Sequence, residues 1–279
     1  MSRSIARALH GIISLAIAPQ SPRRRAMTLS RLVERLDSSA ATAITTDRGA
    51  LKVLPLRGPH LAAAALDFDN EEPELLTWIQ EIAAGEVLWD VGAATGLFAM
   101  YAALKDGVGV YAFEPKATSF GVLVEHLALN GLGERVFPLC VALSDESGLT
   151  RLELTAMAPG SGGNSVSGAP NQFGEYNSVF SQGVPAYRID DLRAAFNLPA
   201  PHYLKIDVDG VEGAILRGAA ATLPMIKSVL VEVEGDNALE AATRIEPPLF
   251  AAGFVEDTAV RTTGSGRNRL YRNPSPKRG

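Results

Sequence analysis

Between Glu86 and Glu114 the chain reads EVLWDVGAATGLFAMYAALKDGVGVYAFE. The apolar run Val87, Leu88 and Trp89 stops at Asp90, and the chain turns through Gly92, Ala93, Ala94, Thr95 and Gly96 into an apolar segment of helical character. It returns as a second apolar run that stops at Glu114. The pattern predicts a strand, a glycine-rich turn, a helix and a second strand, so the rest of the chain must be built around this unit.

Units of this shape hold nucleotide-like cofactors, and the residue types narrow the choice. Gly92 and Gly96 let backbone approach a ligand where a Cβ would collide, and the following helix turns its unpaired N–H groups toward it. Asp90 stands where a dinucleotide's pyrophosphate would lie, so phosphate is repelled and an ammonium or sulfonium attracted. Glu114, 24 residues later, ends the second strand and can accept hydrogen bonds from two ribose hydroxyls. The two acids together describe a cationic amino acid joined to a nucleoside, which fits S-adenosylmethionine. A dinucleotide fingerprint would read G-x-G-x-x-G, whereas this turn offers D-x-G-x-x-x-G. An NAD-dependent oxidoreductase is the alternative enzyme, and a ligand-free strand-to-helix connection is the plain reading.

Composition excludes several classes. With 47% hydrophobic and 20% charged residues over 279 positions, the chain reads as globular, with length for a substantial core. A net charge of -5 and a pI near 5.5 provide no general field for nucleic acid. The single cysteine, Cys140, allows no internal disulfide and suits a buried apolar position. His10, His60, His126 and His202 lie far apart without metal-ligand spacing, so no metal is expected.

In chain order, Ile5 to Ala18 is apolar and is followed by Arg23, Arg24 and Arg25. The segment is too short and interrupted to span a bilayer; a solvated helical arm is expected, with weak peripheral contact of residues 1–25 with a membrane as the alternative. Met27 to Leu36 has helical spacing, and Thr42 to Leu56 reads as a hairpin turning at Asp47-Arg48-Gly49. A helix carrying Leu75, Leu76, Trp78, Ile79 and Ile82 then leads into the central strand, with acids in its first turn that suit the helix dipole, a place bordering the cofactor site being the alternative. The expected division is an arm with a small hairpin over 1–66, the main domain over 67–273 and a frayed tail over 274–279. The location expected is the cytoplasm.

Beyond Glu114 and Pro115 a helix runs from Thr118 to Leu129, and Arg135 to Leu143 reads as a third strand. That places Ser144 and Asp145 at a strand's carboxyl end, with Asp145 a candidate acceptor for an adenine amino group. Residues 158–181 are rich in Gly, Ser, Asn and Pro with Phe173, Tyr176 and Phe180 embedded, which suggests a lid or substrate wall. Val184 to Phe196 is a short strand and a helix capped near Asp190. His202 to Gly210 (HYLKIDVDG) puts Lys205, Asp207 and Asp209 near the end of a buried strand, where charge is costly unless paired or functional. A lysine beside two carboxylates can orient or deprotonate a hydroxyl. Ser228 to Glu234 is a further inner strand, whose Glu232 and Glu234 face the pocket opposite Lys205.

The succession EEPELL, VLWDVGAATGLFA, VYAFEP, VALSDESG, a Gly-Asn-Ser loop, YRIDDL and LKIDVDGVEGAILRGA, from about Phe68 to Val260, resembles the FkbM family of S-adenosylmethionine-dependent methyltransferases. The resemblance implies a class I methyltransferase: a Rossmann-like, doubly wound, seven-stranded and mostly parallel α/β sheet with an N-terminal helical and hairpin arm. It implies that Asp90, Gly92, Ala93, Gly96, Glu114, Pro115, Ser144 and Asp145 serve the cofactor. Lys205 and Asp207 become the catalytic pair, and Asn164, Ser165, Asp209, Glu212 and Glu232 border the acceptor, a hydroxyl on a sugar or secondary metabolite. Two residues depart from the family's pattern: Ala94 stands where Asn is common, and Asp209 where Glu is commoner. An inactive cofactor-binding scaffold is the rival from another class.

Overall fold

The computed structural model describes residues 2–166, 177–233, 241–262 and 264–277. Two compact units divide the chain at Ala41, ahead of the hairpin. The first holds helices α1 (Ser2–Ile17) and α2 (Pro22–Ala40).

The second unit begins with the antiparallel hairpin β1 (Thr42–Thr46) and β2 (Gly49–Val53). The Lys52 N–H donates to Asn130 Oδ1, and Asn130 Nδ2 donates back to the Lys52 carbonyl, both at 2.7 Å. The hairpin is thereby fixed to the body. Helices α3 (Pro59–Glu71) and α4 (Pro73–Gln80) follow, and α4 buries Leu75, Leu76, Trp78 and Ile79 as its spacing predicts.

The body is a seven-stranded sheet. Strands β3 (Val87–Val91), β4 (Gly109–Phe113) and β5 (Val136–Leu139) are parallel, joined by α5 (Leu97–Ala103) and α6 (Ala117–Asn130). On the other side of β3 come β10 (Tyr203–Ile206) and β11 (Ser228–Glu232), also parallel; the intervening strands β6 to β9 belong to a second sheet. Antiparallel β13 (Asn268–Arg272) and β12 (Val255–Asp257) close that edge, so the order is β5-β4-β3-β10-β11-β13-β12. Helices α7 (Ile189–Phe196), α8 (Glu212–Arg217) and α9 (Glu246–Ala251) complete the connections. This is the doubly wound, mostly parallel sheet that the motifs imply. A π-helical turn, Ala241–Ile245, runs directly into α9, whose first turn holds Pro247 and Pro248, where their fixed φ and missing N–H are tolerated.

Winding reverses between β3 and β10, and a crevice opens there at the carboxyl ends of the strands. Side-chain alternation decides what faces it. Leu88, Tyr203 and Leu230 belong to one core, and Trp89, Leu204 and Val229 to the other. By the same alternation Asp90, Lys205 and Glu232 share the face of Leu88, Tyr203 and Leu230, on three neighbouring strands.

The stretch read as one strand from Arg135 to Leu143 is two. As an edge strand β5 pairs only with β4, and the Glu114 N–H takes the Leu139 carbonyl at 3.0 Å as that partner ends. The chain therefore leaves and forms β6 (Ala142–Leu143), parallel to β9 (Phe180–Tyr187). Strand β7 (Gly148–Leu154) pairs antiparallel with β9 and with β8 (Ser165–Val166), giving a four-stranded sheet that the sequence did not announce. Asp190 is the second residue of α7, not its cap, and its carboxylate accepts the N–H groups of Ala221 and Thr222. Phe173, Tyr176 and Glu234 lie outside the described residues.

Gly92 is held at φ +80°, and a Cβ there would stand 1.7 Å from the Asp207 carbonyl oxygen. Gly92→Ala is expected to destabilise the protein by at least about 2 kcal/mol, from left-handed backbone and overlap combined. Urea denaturation measures it.

Candidate functional site

The turn after β3 folds onto the end of β4. The N–H groups of Gly92 and Ala93 both donate to the Phe113 carbonyl at 3.0 Å, and the Ala94 N–H donates to Glu114 Oε2 at 2.8 Å. Glu114 Oε1 accepts the Lys116 N–H, also at 2.8 Å. Each oxygen of Glu114 is thus aimed by one main-chain donor and keeps acceptor capacity. Burial lifts this carboxyl to about 7, against the lowering effect of the two N–H groups and of the Lys116 charge.

Gly92 lines the cavity and is also required by the neighbouring backbone of Asp207, whereas Gly96 (φ +87°) precedes α5, packs against Leu123 and does not line the cavity. Ala94 adopts φ +48°, a left-handed conformation that Asn accepts more readily than Ala. That accounts for Asn being common there in the family that the sequence resembles.

Beside this turn lies a buried charge cluster. Lys205, 1% exposed, places Nζ 2.9 Å from Asp207 Oδ2 and 3.3 Å from Asp90 Oδ1. Burial by itself would favour the neutral amine, but the charges of Asp207, Asp90 and Glu72 outweigh it and push the lysine above its ordinary value. Lys205 is therefore a fixed ammonium and no proton acceptor. Asp207 is pulled down, since Lys205 and a hydrogen bond from Glu232 overcome its burial. Glu232 is driven up to about 9 by burial and by the adjacent Asp207 charge, so the two carboxyls hold one proton between them. Burial followed by the Asp207 charge also raises Glu72, whose oxygens meet Arg267 Nη2 at 3.2 Å and Asn268 Nδ2 at 3.1 Å.

Asp90 does not stand at the cavity wall. It is 1% exposed, does not line the cavity, and is met at Oδ1 by Lys205 Nζ at 3.3 Å. Desolvation raises its carboxyl despite Lys205.

A loop between β7 and β8 covers the opening from the other side. Lys116, buried at the exit of β4, donates through Nζ to the carbonyls of Ala158 at 2.8 Å and Ser161 at 3.2 Å, and to Ser161 Oγ. Asp209 Oδ2 accepts the Asn164 N–H at 2.9 Å, so Asp209 fastens this loop as well as lining the cavity. Among the described residues Asn164 Oδ1 is buried without a partner, at the cavity wall.

The cavity measures about 710 Å³, is partly open to solvent, and takes in Gly92, Ala93, Glu114, Pro115, Lys205, Asp207 and Glu232 along with Asn164 and Asp209. Four further expected residues are elsewhere. The break after β5 carries Ser144 and Asp145 away, and Asp145 Oδ2 accepts both Arg217 Nε at 3.1 Å and Nη2 at 2.7 Å. Ser165 is buried in β8, opposite Glu153. Glu212 is buried and accepts the Gly210 N–H at 3.1 Å ahead of its own helix. Lys116 and Arg267 line the cavity with no site role given from sequence, and Glu72 lines it as one of the acids whose alternative place was beside the cofactor. Lys116 follows Glu114 by two positions, and Glu72 lies among the acids credited to a helix dipole; Arg267, beyond a surface turn, carried no signal.

The methyltransferase FkbM domain matches residues 90–255, more than half of the chain. The chain belongs to the FkbM methyltransferase family. The hexuronic acid methyltransferase AglP of Haloferax volcanii is 29% identical, over 60% of this chain and 64% of that protein. The 31-O-demethyl-FK506 methyltransferase FkbM of Streptomyces tacrolimicus is 28% identical, over 66% of this chain and 83% of that one. The methyltransferase FkbM of Methylobacillus flagellatus KT is similar in structure at 13% identity and a TM-score of 0.46, over 68% of this chain and 44% of that one. The chain thus spans less than two thirds of AglP and under half of the Methylobacillus protein.

In this FkbM-family chain, Lys205→Met strands the buried Asp90 and the partly exposed Asp207 and is expected to cost about 3–5 kcal/mol of stability. Adding Asp90→Asn removes one of them, so the double variant should recover at least about 1 kcal/mol relative to additivity. Denaturant titration of the four proteins closes the cycle.

Proposed function

We propose that the protein transfers a methyl group from S-adenosylmethionine to a hydroxyl oxygen of a sugar or secondary metabolite. Glu114 carries the reading. It stands in the cavity wall at the end of the strand beside the glycine turn, with both oxygens aimed by main-chain donors and able to accept from a ribose diol. The cavity's charge supports it: among the described residues seven acids line it against Lys116, Lys205 and Arg267, which suits a cationic donor. Val141, Ala142 and Leu143 add an apolar wall for the base, the part first given to Asp145.

S-adenosylmethionine supplies an electrophilic methyl group. This chain's residues hold the acceptor: the Asp207–Glu232 pair shares one proton and so retains one anionic oxygen, which accepts the hydroxyl's hydrogen bond and then its proton. Lys205 keeps that carboxylate charged and in place. Catalysis rests mainly on alignment of the acceptor oxygen. The printed names of the relatives, one for hexuronic acid and one for a 31-O-demethyl compound, support an oxygen acceptor.

Calorimetric titration with S-adenosylmethionine tests the role of Glu114. Glu114→Gln is expected to weaken binding at least about tenfold, as for a lost charge-assisted hydrogen bond; unchanged affinity would overturn the assignment. The wild-type affinity should also rise as pH passes about 7, where Glu114 becomes a carboxylate facing a cationic ligand. Stability moves the other way. The folded state holds this proton more tightly than the unfolded chain, so the residue's contribution is greatest below about 4.5 and falls as pH rises to about 7.

A further inference from the structure

Residues 1–41 carry seven arginines against Glu34 and Asp37, a net charge of +5, which leaves -10 on the other 238 residues. The charge lies on two amphipathic helices. At about 3.6 residues per turn, Ile5, Leu9, Ile12 and Leu15 fall on one side of α1, with Arg7, His10 and Ser14 on the other. The apolar side is uncovered: Ile12 is 63% and Leu15 77% exposed. On α2, Leu29, Val33 and Leu36 form an exposed row, and Arg23, Arg24, Arg31 and Arg35 are exposed along the rest of the helix. Arg25 folds back on the turn between the helices, its Nε donating to the Gln20 carbonyl at 2.8 Å.

We propose that the α1–α2 unit lies on an anionic lipid surface, with the apolar rows in the acyl boundary and the arginines among phosphate and carboxylate headgroups. A bilayer face presents anionic and apolar layers in the same order as these helices do. No helix among the described residues is long and apolar enough to cross a membrane, so the unit rests on the surface. The remainder of the chain, at -10, is repelled by such a surface, so attachment falls to this unit. A second copy offers less: among the described residues, exposed large apolar side chains of the body such as Phe137, Leu149 and Phe250 belong to separate elements, β5, β7 and α9. The inference is independent of the methyl acceptor.

The test is co-sedimentation of the full chain with vesicles of phosphatidylcholine alone or with about 30% phosphatidylserine. At about 0.1 M salt the protein should bind the anionic vesicles at least about tenfold more tightly than the neutral ones, and about 0.5 M salt should release it. Arg23→Glu with Arg24→Glu, and separately Leu9→Asp with Ile12→Asp, should each abolish binding. Circular dichroism and the thermal transition of the remaining unit confirm that the variants are folded. Failure to sediment with anionic vesicles, or equal binding to both vesicles, would overturn the proposal. So would self-association lost on Ile12→Asp, seen by ultracentrifugation without vesicle binding.

Discussion

One buried ammonium joins the two halves of the sheet. Lys205 sits beside Asp90 across the seam between β3 and β10, where the winding reverses, and reaches Asp207 just beyond the strand. Removing these charges from water is costly, and each is tolerable only because the others are present. The same contacts that close the seam leave Asp207 ionised at the cavity's edge. Packing and chemistry are therefore inseparable at this point of the fold.

The cavity has two regions of different character. Around Glu114 the main chain provides direction, with N–H groups from a turn and from the strand's exit holding a single carboxylate. Around Asp207 and Glu232 side chains dominate, and four acids with two cations settle their protons collectively. The first arrangement suits recognition of a fixed ligand. The second suits exchange of protons among its own groups.

The central unit was legible because strand, turn and helix periodicities are local, and because a charged residue closing an apolar run is a strong signal. Glu114, Asp207 and Glu232 were found that way. Asp90 and Gly92 carry long-range roles that local pattern does not show: one is a buried counter-ion off the cavity wall, and the other, on the wall as expected, also makes room for the Asp207 backbone. Asp145 was misplaced because an apolar run from Val136 to Leu143 gives no sign of where its pairing partner ends. Arg267 was missed because only antiparallel closure of the sheet's far edge brings it to the cavity.

Lys116 ties the loop at Ala158 and Ser161 to the residue after next from Glu114, and two of its three acceptors are main-chain carbonyls. A carbonyl is present whatever side chain the position bears. That stretch of the cavity wall can thus change its side chains through evolution while its attachment beside Glu114 stays put.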